Sequence, residues 1–191
     1  MKIQTKRLTL RPIQTGDEKA VHEYAGDQSL TMMFFLPNDT FEETAAFVKE
    51  NAEEWQSEEQ TNFEFVILLH GRIIGGCDCD LGHSADRSYA TLGWIIHPDY
   101  RNHGYASEAA AAILDFAFEN LKIDKVYAQC DINNPASFGV MRKIGLKCIN
   151  DQGTRTYPRT GITSGEYTCM MTRNEWKKQK ESMVSPENST F

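Results

Sequence analysis

The spacing of apolar residues gives the elements. In residues 92–96, Leu92, Trp94 and Ile96 alternate with other positions, the period of a pleated strand. Pro98 ends it, because proline cannot donate to a ladder and biases the residue before it away from helix. From Ser107 the period changes: Glu and Ala residues dominate, and Ile113, Leu114, Phe116 and Phe118 fall at helical spacing. Upstream, residues 7–12 form a short strand with Leu8 and Leu10 apolar. Thr15 and Glu18 have capping-box spacing and predict a helix to about Gly26. Thr40 and Glu43 repeat the device for a helix to about Ser57. Residues 62–69 and 72–81 read as strands joined by a tight turn at His70-Gly71. Residues 82–87 are a turn, and 88–96 the next strand. Residues 125–131 form another. Asn134 then caps a helix with Pro135 at its first position, and Gly145 ends it. A strand starts over residues 146–150, a polar loop covers 151–164, and the last strand is 166–172. The predicted order is β-α-α-β-β-β-α-β-α-β-β, an α+β arrangement. Residues 30–37 are too apolar for a solvated loop and are expected to pack beneath the first two helices.

Bulk properties narrow the class. A chain of 191 residues fits one domain with a sizeable core. With 40% hydrophobic and 25% charged residues it reads as soluble and globular. No apolar run approaches the ~20 residues of a membrane span. The opening Met1-Lys2-Ile3-Gln4-Thr5-Lys6 lacks an apolar signal core, so the expected location is the cytoplasm. The domain is expected to cover residues 1–176, with a polar, flexible tail over 177–191. Cys77, Cys79, Cys130, Cys148 and Cys169 are odd in number and widely spaced, which fits core thiols and neither a disulfide framework nor a zinc site. A net charge of −7 argues against nucleic acid as a partner and is compatible with a cationic acceptor such as an amine or a basic protein.

The loop between the Trp94 strand and the Ala-rich helix is the leading functional candidate. It reads Arg101-Asn102-His103-Gly104-Tyr105-Ala106-Ser107. A glycine at a strand-to-helix junction lets backbone N–H groups meet an anion at the positive end of the helix dipole. There is no Gly-Lys-Ser/Thr of a P-loop and no second and third glycine of a dinucleotide fingerprint. An ordinary strand-to-helix turn fits the bare spacing as well.

The full string is more specific. Arg101-x-x-Gly104-x-Ala106, after a strand ending in Ile96-His97-Pro98, resembles the acetyl-CoA signature of the GNAT acyltransferases, Arg/Gln-x-x-Gly-x-Gly/Ala. Asn133-Asn134-Pro135-Ala136-Ser137 with Lys143-Ile144-Gly145-Leu146 resembles a second segment of that family. The opening residues 5–12 and the closing Arg173-Asn174-Glu175-Trp176 resemble its RimJ/RimL-like branch of ribosomal-protein N-terminal acetyltransferases. The resemblance covers about residues 1–176. It implies a GNAT fold, with a mixed central sheet of about seven strands and helices on both faces.

It also implies acetyl-CoA as co-substrate, without a metal. The amides of Arg101, Asn102, His103, Gly104, Tyr105, Ala106 and Ser107 then bind the diphosphate, aided by the side chains of Arg101 and His103 and by Lys143. Trp94, Ile95 and Ile96 contact the pantetheine and the thioester from a bulged strand, and Asn134 is a further cofactor contact. Many relatives protonate the leaving thiolate with a tyrosine. Here Ser137 inherits that role, the alternative being a plain first-turn residue. The glutamate that many relatives carry as base is replaced by Thr91. Glu64, Asp78, Asp80 and Glu166 lie in predicted strands, each read singly as a solvated strand residue. A site without a strong base tilts toward an α-amine of pKa about 8 over a lysine of about 10.4. The implied acceptor is a protein N-terminus or a small-molecule amine, with no nucleic acid or membrane partner and with homodimerisation left open. A catalytically weak acyl-CoA-binding module and an unrelated phosphate-binding α+β protein are the competing readings. Residues 30–37 and 151–164 are the segments expected to set acceptor specificity.

Overall fold

One eight-stranded sheet carries the fold in the computed structural model, which describes residues 1–30, 32–33, 37–82 and 88–184. The strands are β1 (Ile3–Gln4), β2 (Leu8–Pro12), β3 (Asn62–Leu69), β4 (Arg72–Asp80), β5 (Tyr89–Ile96), β6 (Lys125–Asp131), β7 (Lys147–Thr156) and β8 (Thr163–Thr172). Their spatial order is β1-β2-β3-β4-β5-β6-β8-β7. Every neighbouring pair is antiparallel except β5 and β6. Helices α1 (Glu18–Ala25) and α2 (Phe41–Glu54) pack on one side. Helix α3 (Tyr105–Glu119) joins β5 to β6 on the other, followed by α4 (Pro135–Lys143) and α5 (Arg173–Val184).

Two clusters hold the layers together. Phe63 and Phe65 of β3 meet Phe116 of α3 edge-on, each with ring centroids 5.4 Å apart. On the opposite face Val66 and Ile13 pack with Val21 and Tyr24 of α1 and Val48 of α2. Each such side chain buried contributes about 1.5–3 kcal/mol relative to exposure. The alternation of β3 explains the division: Phe63, Phe65 and Ile67 face α3, while Glu64 and Val66 face α1.

The expected order holds, with one short edge strand, β1, added before β2, making eight strands where about seven were expected, and with β7 and β8 extending into residues 151–164, where only the turn between Thr156 and Thr163 interrupts them. The Thr15 capping box does not form. Asp17 caps α1 by position, its carboxylate is taken by Arg11 and the Gln14 amide, and Glu18 accepts instead from the Gly16 amide. Thr40 does cap α2, accepting from the Glu43 amide at 3.2 Å, but Glu43 reaches back to Asp39 rather than to Thr40. That helix stops at Glu54, with the Trp55 indole donating to the Glu64 carbonyl at 2.7 Å. At the other end the chain stays helical past Trp176 to Val184. Trp176 and Lys180 both bind Asp115 of α3, which is what secures this last helix.

All five cysteines are free, and four are buried; Cys148 is exposed. Among the described residues no helix is long and apolar enough to cross a membrane. Of the apolar 30–37 stretch, Thr31 and residues 34–36 lie outside the described residues, as do residues 83–87 of the expected turn.

Candidate functional site

The sheet opens along one seam. β5 pairs with β6 only through Tyr89↔Lys125, Ala90↔Val126 and Thr91↔Tyr127. Beyond Thr91, β5 stays bonded to β4 and β6 stays bonded to β8, so the two strands separate into a wedge. The expected bulge in β5 is not what opens it: the β4–β5 register runs unbroken from Gly75↔Ile96 to Asp80↔Thr91.

Strand alternation then assigns the peptide groups. The His97 amide bonds the Ile74 carbonyl on β4, and the Ile95 carbonyl also faces β4. Alternate peptides point the other way, so Trp94 and Ile96 present theirs to the wedge. Of the three expected cofactor-contacting residues of β5, Ile95 is therefore turned from the wedge in its main chain, and its side chain packs with the α1 cluster.

At the mouth of the wedge lies the glycine loop. Gly104 occupies the left-handed region at φ 78° and precedes α3 with no side-chain cap, so the first-turn amides of Tyr105, Ala106 and Ser107 lack a side-chain acceptor. A Cβ on Gly104 would stand 3.6 Å from Arg7 Nη2 and 3.9 Å from Lys143 Nζ. Two cations thus flank an open backbone cradle, beside a cavity of about 340 Å³ that Ser107 also lines. Arg7 is fixed there. It donates to Glu108 at 2.7 Å and to the His103 carbonyl at 3.0 Å, and its guanidinium lies 4.5 Å over the Tyr105 ring. Burial would raise the Glu108 pKa, but hydrogen bonds from Thr5 and Arg7 outweigh it and hold the carboxylate ionised.

Arg101 departs from expectation. Its side chain donates to the Ile96 carbonyl at 3.0 Å and to Asp27 at 3.3 Å, bracing the loop against β5 instead of entering the cradle. Asn102 and His103 are exposed; His103 bonds the Arg101 carbonyl and stacks on Tyr105.

The opposite wall is β6 and the start of α4. Asn134 accepts from the Ser137 amide at 3.0 Å, so its side chain caps the helix. The Ser137 hydroxyl contacts the Cys130 thiol, which burial pushes up to about 11 against the opposing pull of Arg155 and Ser137. Asp131, at the end of β6, accepts from Tyr157 at 2.6 Å, from Ser164 at 3.0 Å and from the Asn133 amide.

Two expected specificity segments do meet. Arg159, in the turn between β7 and β8, binds the Pro37 carbonyl and Asp39, and the Tyr157 hydroxyl lies 3.5 Å from the Met32 carbonyl. They thus join the α1–α2 connection to the β7–β8 turn on the α1 side of the sheet.

On that same side Glu64 is no solvated strand residue. It is 9% exposed and stands directly opposite Asp78 across the β3–β4 ladder. Burial first, then the facing Asp78, pushes Glu64 well above the usual carboxylate range; burial, with Asp80 nearby, pushes Asp78 up to about 7. Glu166 is paired with Arg155 at 2.7 Å. Sequence reading missed Arg7 as a site residue, although it lies in the matched opening segment, and missed the Glu64–Asp78 pairing. Among the described residues no group of three or more His, Cys, Asp or Glu could hold a metal ion.

Known proteins resemble this chain in sequence and in fold. The acetyltransferase (GNAT) domain family matches residues 7–147. The uncharacterized N-acetyltransferase YnaD of Bacillus subtilis strain 168 is 34% identical over 191 residues, covering 92% of this chain and 99% of its own length. The spermidine N(1)-acetyltransferase of Escherichia coli K12 is 28% identical over 139 residues, 72% of this chain and 71% of its own. Among solved structures, a GNAT-family acetyltransferase from Bacillus anthracis superposes with a TM-score of 0.79 at 29% identity, over 92% of this chain and all of that one. The ribosomal L7/L12 α-N-protein acetyltransferase RimL, in complex with coenzyme A, also reaches 0.79, at 16% identity over 90% of this chain and 98% of its own, a likeness of fold.

Proposed function

The chain belongs to the acetyltransferase (GNAT) family and is an acetyl-CoA-dependent N-acetyltransferase, and from that premise we propose that it acetylates a primary amine by direct attack within a ternary complex. The observation that carries this reading is the wedge between β5 and β6, with the Gly104 cradle and its two cations at the mouth.

The cradle fits a diphosphate. The uncapped first-turn amides of Tyr105 to Ser107 stand at the positive end of α3, and Arg7 and Lys143 supply the charge that this chain, at −7 overall, lacks as a general field. Arg101 contributes by holding the loop in shape. A pantetheine arm laid along the wedge meets the outward peptides of Trp94 and Ile96, and an N–H there polarises the thioester carbonyl as the amine attacks. Ser137, with Asn134 fixing its turn, stands on the facing wall as donor to the departing sulfur. The domain is proposed to span residues 1–176, with α5 extending it.

The acceptor enters on the side of the Arg159–Asp39 ion pair. A peptide or protein N-terminal α-amine is the first reading, in keeping with the RimL likeness and with an α-amine's lower pKa. A small polyamine is the second, favoured by the spermidine acetyltransferase relative and by the buried Glu64 and half-buried Asp78 on the α1 face of the sheet. The deciding test is incubation with acetyl-CoA and separate panels of N-terminal peptides, lysine side-chain peptides and polyamines, following thiol release and the mass of the product. Thiol release with none of these acceptors refutes the reading.

A further inference from the structure

On the α1 face of the sheet, three carboxylates near the wedge are already satisfied: Asp131 by Tyr157, Ser164 and Asn133, Glu166 by Arg155, and Asp80 by the Gly82 amide. Glu64 and Asp78 differ. They face each other across β3 and β4, and among the described residues no cation pairs with either; Asp78 has only its own backbone amide as donor. Gly93 of β5, opposite Asp78, shows where that acid points. A Cβ on Gly93 would stand 2.2 Å from Asp78 Oδ1, so the carboxylate lies over the β5 backbone in the space a side chain would fill. The next peptide along, at Trp94, faces the wedge.

A second feature aims at the same place. The Tyr24 hydroxyl, on a residue only 2% exposed, has no hydrogen-bond partner among the described residues. It lies 2.9 Å from the position of a Cβ on Gly76, and Glu64 Oε1 lies 3.0 Å from that same point. An orphan buried hydroxyl over two unpaired acids is costly unless something polar occupies the space between. Glycine at both 76 and 93 keeps that space open.

We propose that Asp78 and Glu64 form the proton-accepting site for the acceptor amine, with Asp78 receiving the proton and Glu64 and Tyr24 holding the polar group bound between them. This rests on the acetyl-transfer reading above. The ammonium gives one proton to the Asp78 carboxylate. Its freed lone pair attacks the thioester carbonyl carbon, forming the C–N bond. As the C–S bond breaks, the Ser137 hydroxyl gives its proton to the coenzyme A sulfur and regains one from the nitrogen, so the nitrogen's second proton is accounted for on the thiol. Asp78 returns its proton to bulk water. The groups around the pair are Tyr24 from α1 and, beyond it, Asp17 at the start of α1 with its partner Arg11 from β2, Asp80 and the Cys77 and Cys79 thiols from β4, the neutral Trp55 just after α2, and the side-chain-free Gly93 from β5. With no cation bonded to either acid, burial and mutual repulsion favour a proton shared by the pair over two facing charges.

The test is the pH profile of kcat/KM for parent, Asp78→Asn and Glu64→Gln, with coenzyme A binding measured by calorimetry on each. Asp78→Asn is expected to lower kcat ~100-fold or more at neutral pH, to regain rate as pH approaches the acceptor's own pKa, and to bind coenzyme A within about twofold of the parent. Formate is expected to restore part of the rate in Asp78→Gly. A Gly93→Ala variant, which retains both acids but displaces the Asp78 carboxylate, checks the geometry and is expected to lose rate likewise. The proposal is overturned if Asp78→Asn, folded and binding coenzyme A, turns over within about threefold of the parent with an unmoved acid limb. A parent that releases no thiol with any amine refutes the transfer reading itself, and the proton role falls with it.

Discussion

Arg7 donates to the main-chain oxygen of His103 at 3.0 Å, joining two chain positions 96 residues apart. The turn between β1 and β2 thereby shapes the glycine loop and puts a cation beside it. Arg7→Ala is expected to weaken coenzyme A binding ~5- to 20-fold, the equivalent of about 1–2 kcal/mol for one charge-assisted contact. Lys143→Ala should act in the same direction and more weakly. Calorimetric titration at low and high salt checks both, since each variant should flatten the salt dependence.

Gly104→Ala tests the cradle itself. At φ 78° an L-residue costs about 1–2 kcal/mol, and the new methyl would sit between Arg7 and Lys143. A fall in melting temperature of ~2–8 °C is expected. Loss of coenzyme A affinity should exceed what that instability explains.

Arg101→Ala should behave differently from Arg7→Ala. Its guanidinium is committed to Ile96 and Asp27, so the expected loss is mainly of loop stability, about 1 kcal/mol in urea unfolding. Coenzyme A affinity should fall less than for Arg7→Ala.

Tyr157→Phe removes the 2.6 Å bond to buried Asp131. Burial raises the Asp131 pKa, but the bonds from Tyr157, Asn133 and Ser164 prevail and leave it below its ordinary value. A depressed carboxylate contributes stability that is present above its unfolded pKa of about 3.9 and is lost as pH falls through the folded value. The variant should be ~1–3 kcal/mol less stable at pH 7, with the difference shrinking in acid. Denaturant melts from pH 2 to 7 measure this.

Asp78 has the opposite sign. Its folded pKa, pushed up to about 7 by burial, lies above the unfolded value, so its contribution is complete below about pH 4 and is lost as pH rises through 7. Asp78→Asn should therefore be more stable than the parent above pH 7 and should flatten the decline between pH 4 and 7. Urea unfolding across that range is the measurement.

The strands, the glycine loop and the Asn134 cap were legible because each rests on local chemistry: alternation, a left-handed junction, a side chain that accepts from an amide three residues on. The Glu64–Asp78 pair was not. A two-residue turn at His70-Gly71 by itself sets Glu64 opposite Cys77. In the fold Leu68 pairs with Ile73 but Ile67 pairs with Gly75, leaving Ile74 as an extra residue, and that single bulge brings Asp78 opposite Glu64. No residue in the turn announces it. Arg101 failed for a related reason. Which way a long side chain swings depends on Asp27 and the Ile96 carbonyl, partners that only the tertiary fold supplies. The Thr15 box lost to Arg11, whose ion pair with Asp17 fixes the entry to α1.

Three rungs are all that join β5 to β6. The sheet is in effect two leaves hinged at Thr91 and Tyr127, and whatever lies in the gap acts as their missing ladder. Occupancy should then read out as mechanical stiffness. Amide hydrogens along the free edges should exchange quickly in the empty protein and slow together when coenzyme A is present, making the abundance of the co-substrate a determinant of how long the folded chain survives proteolysis.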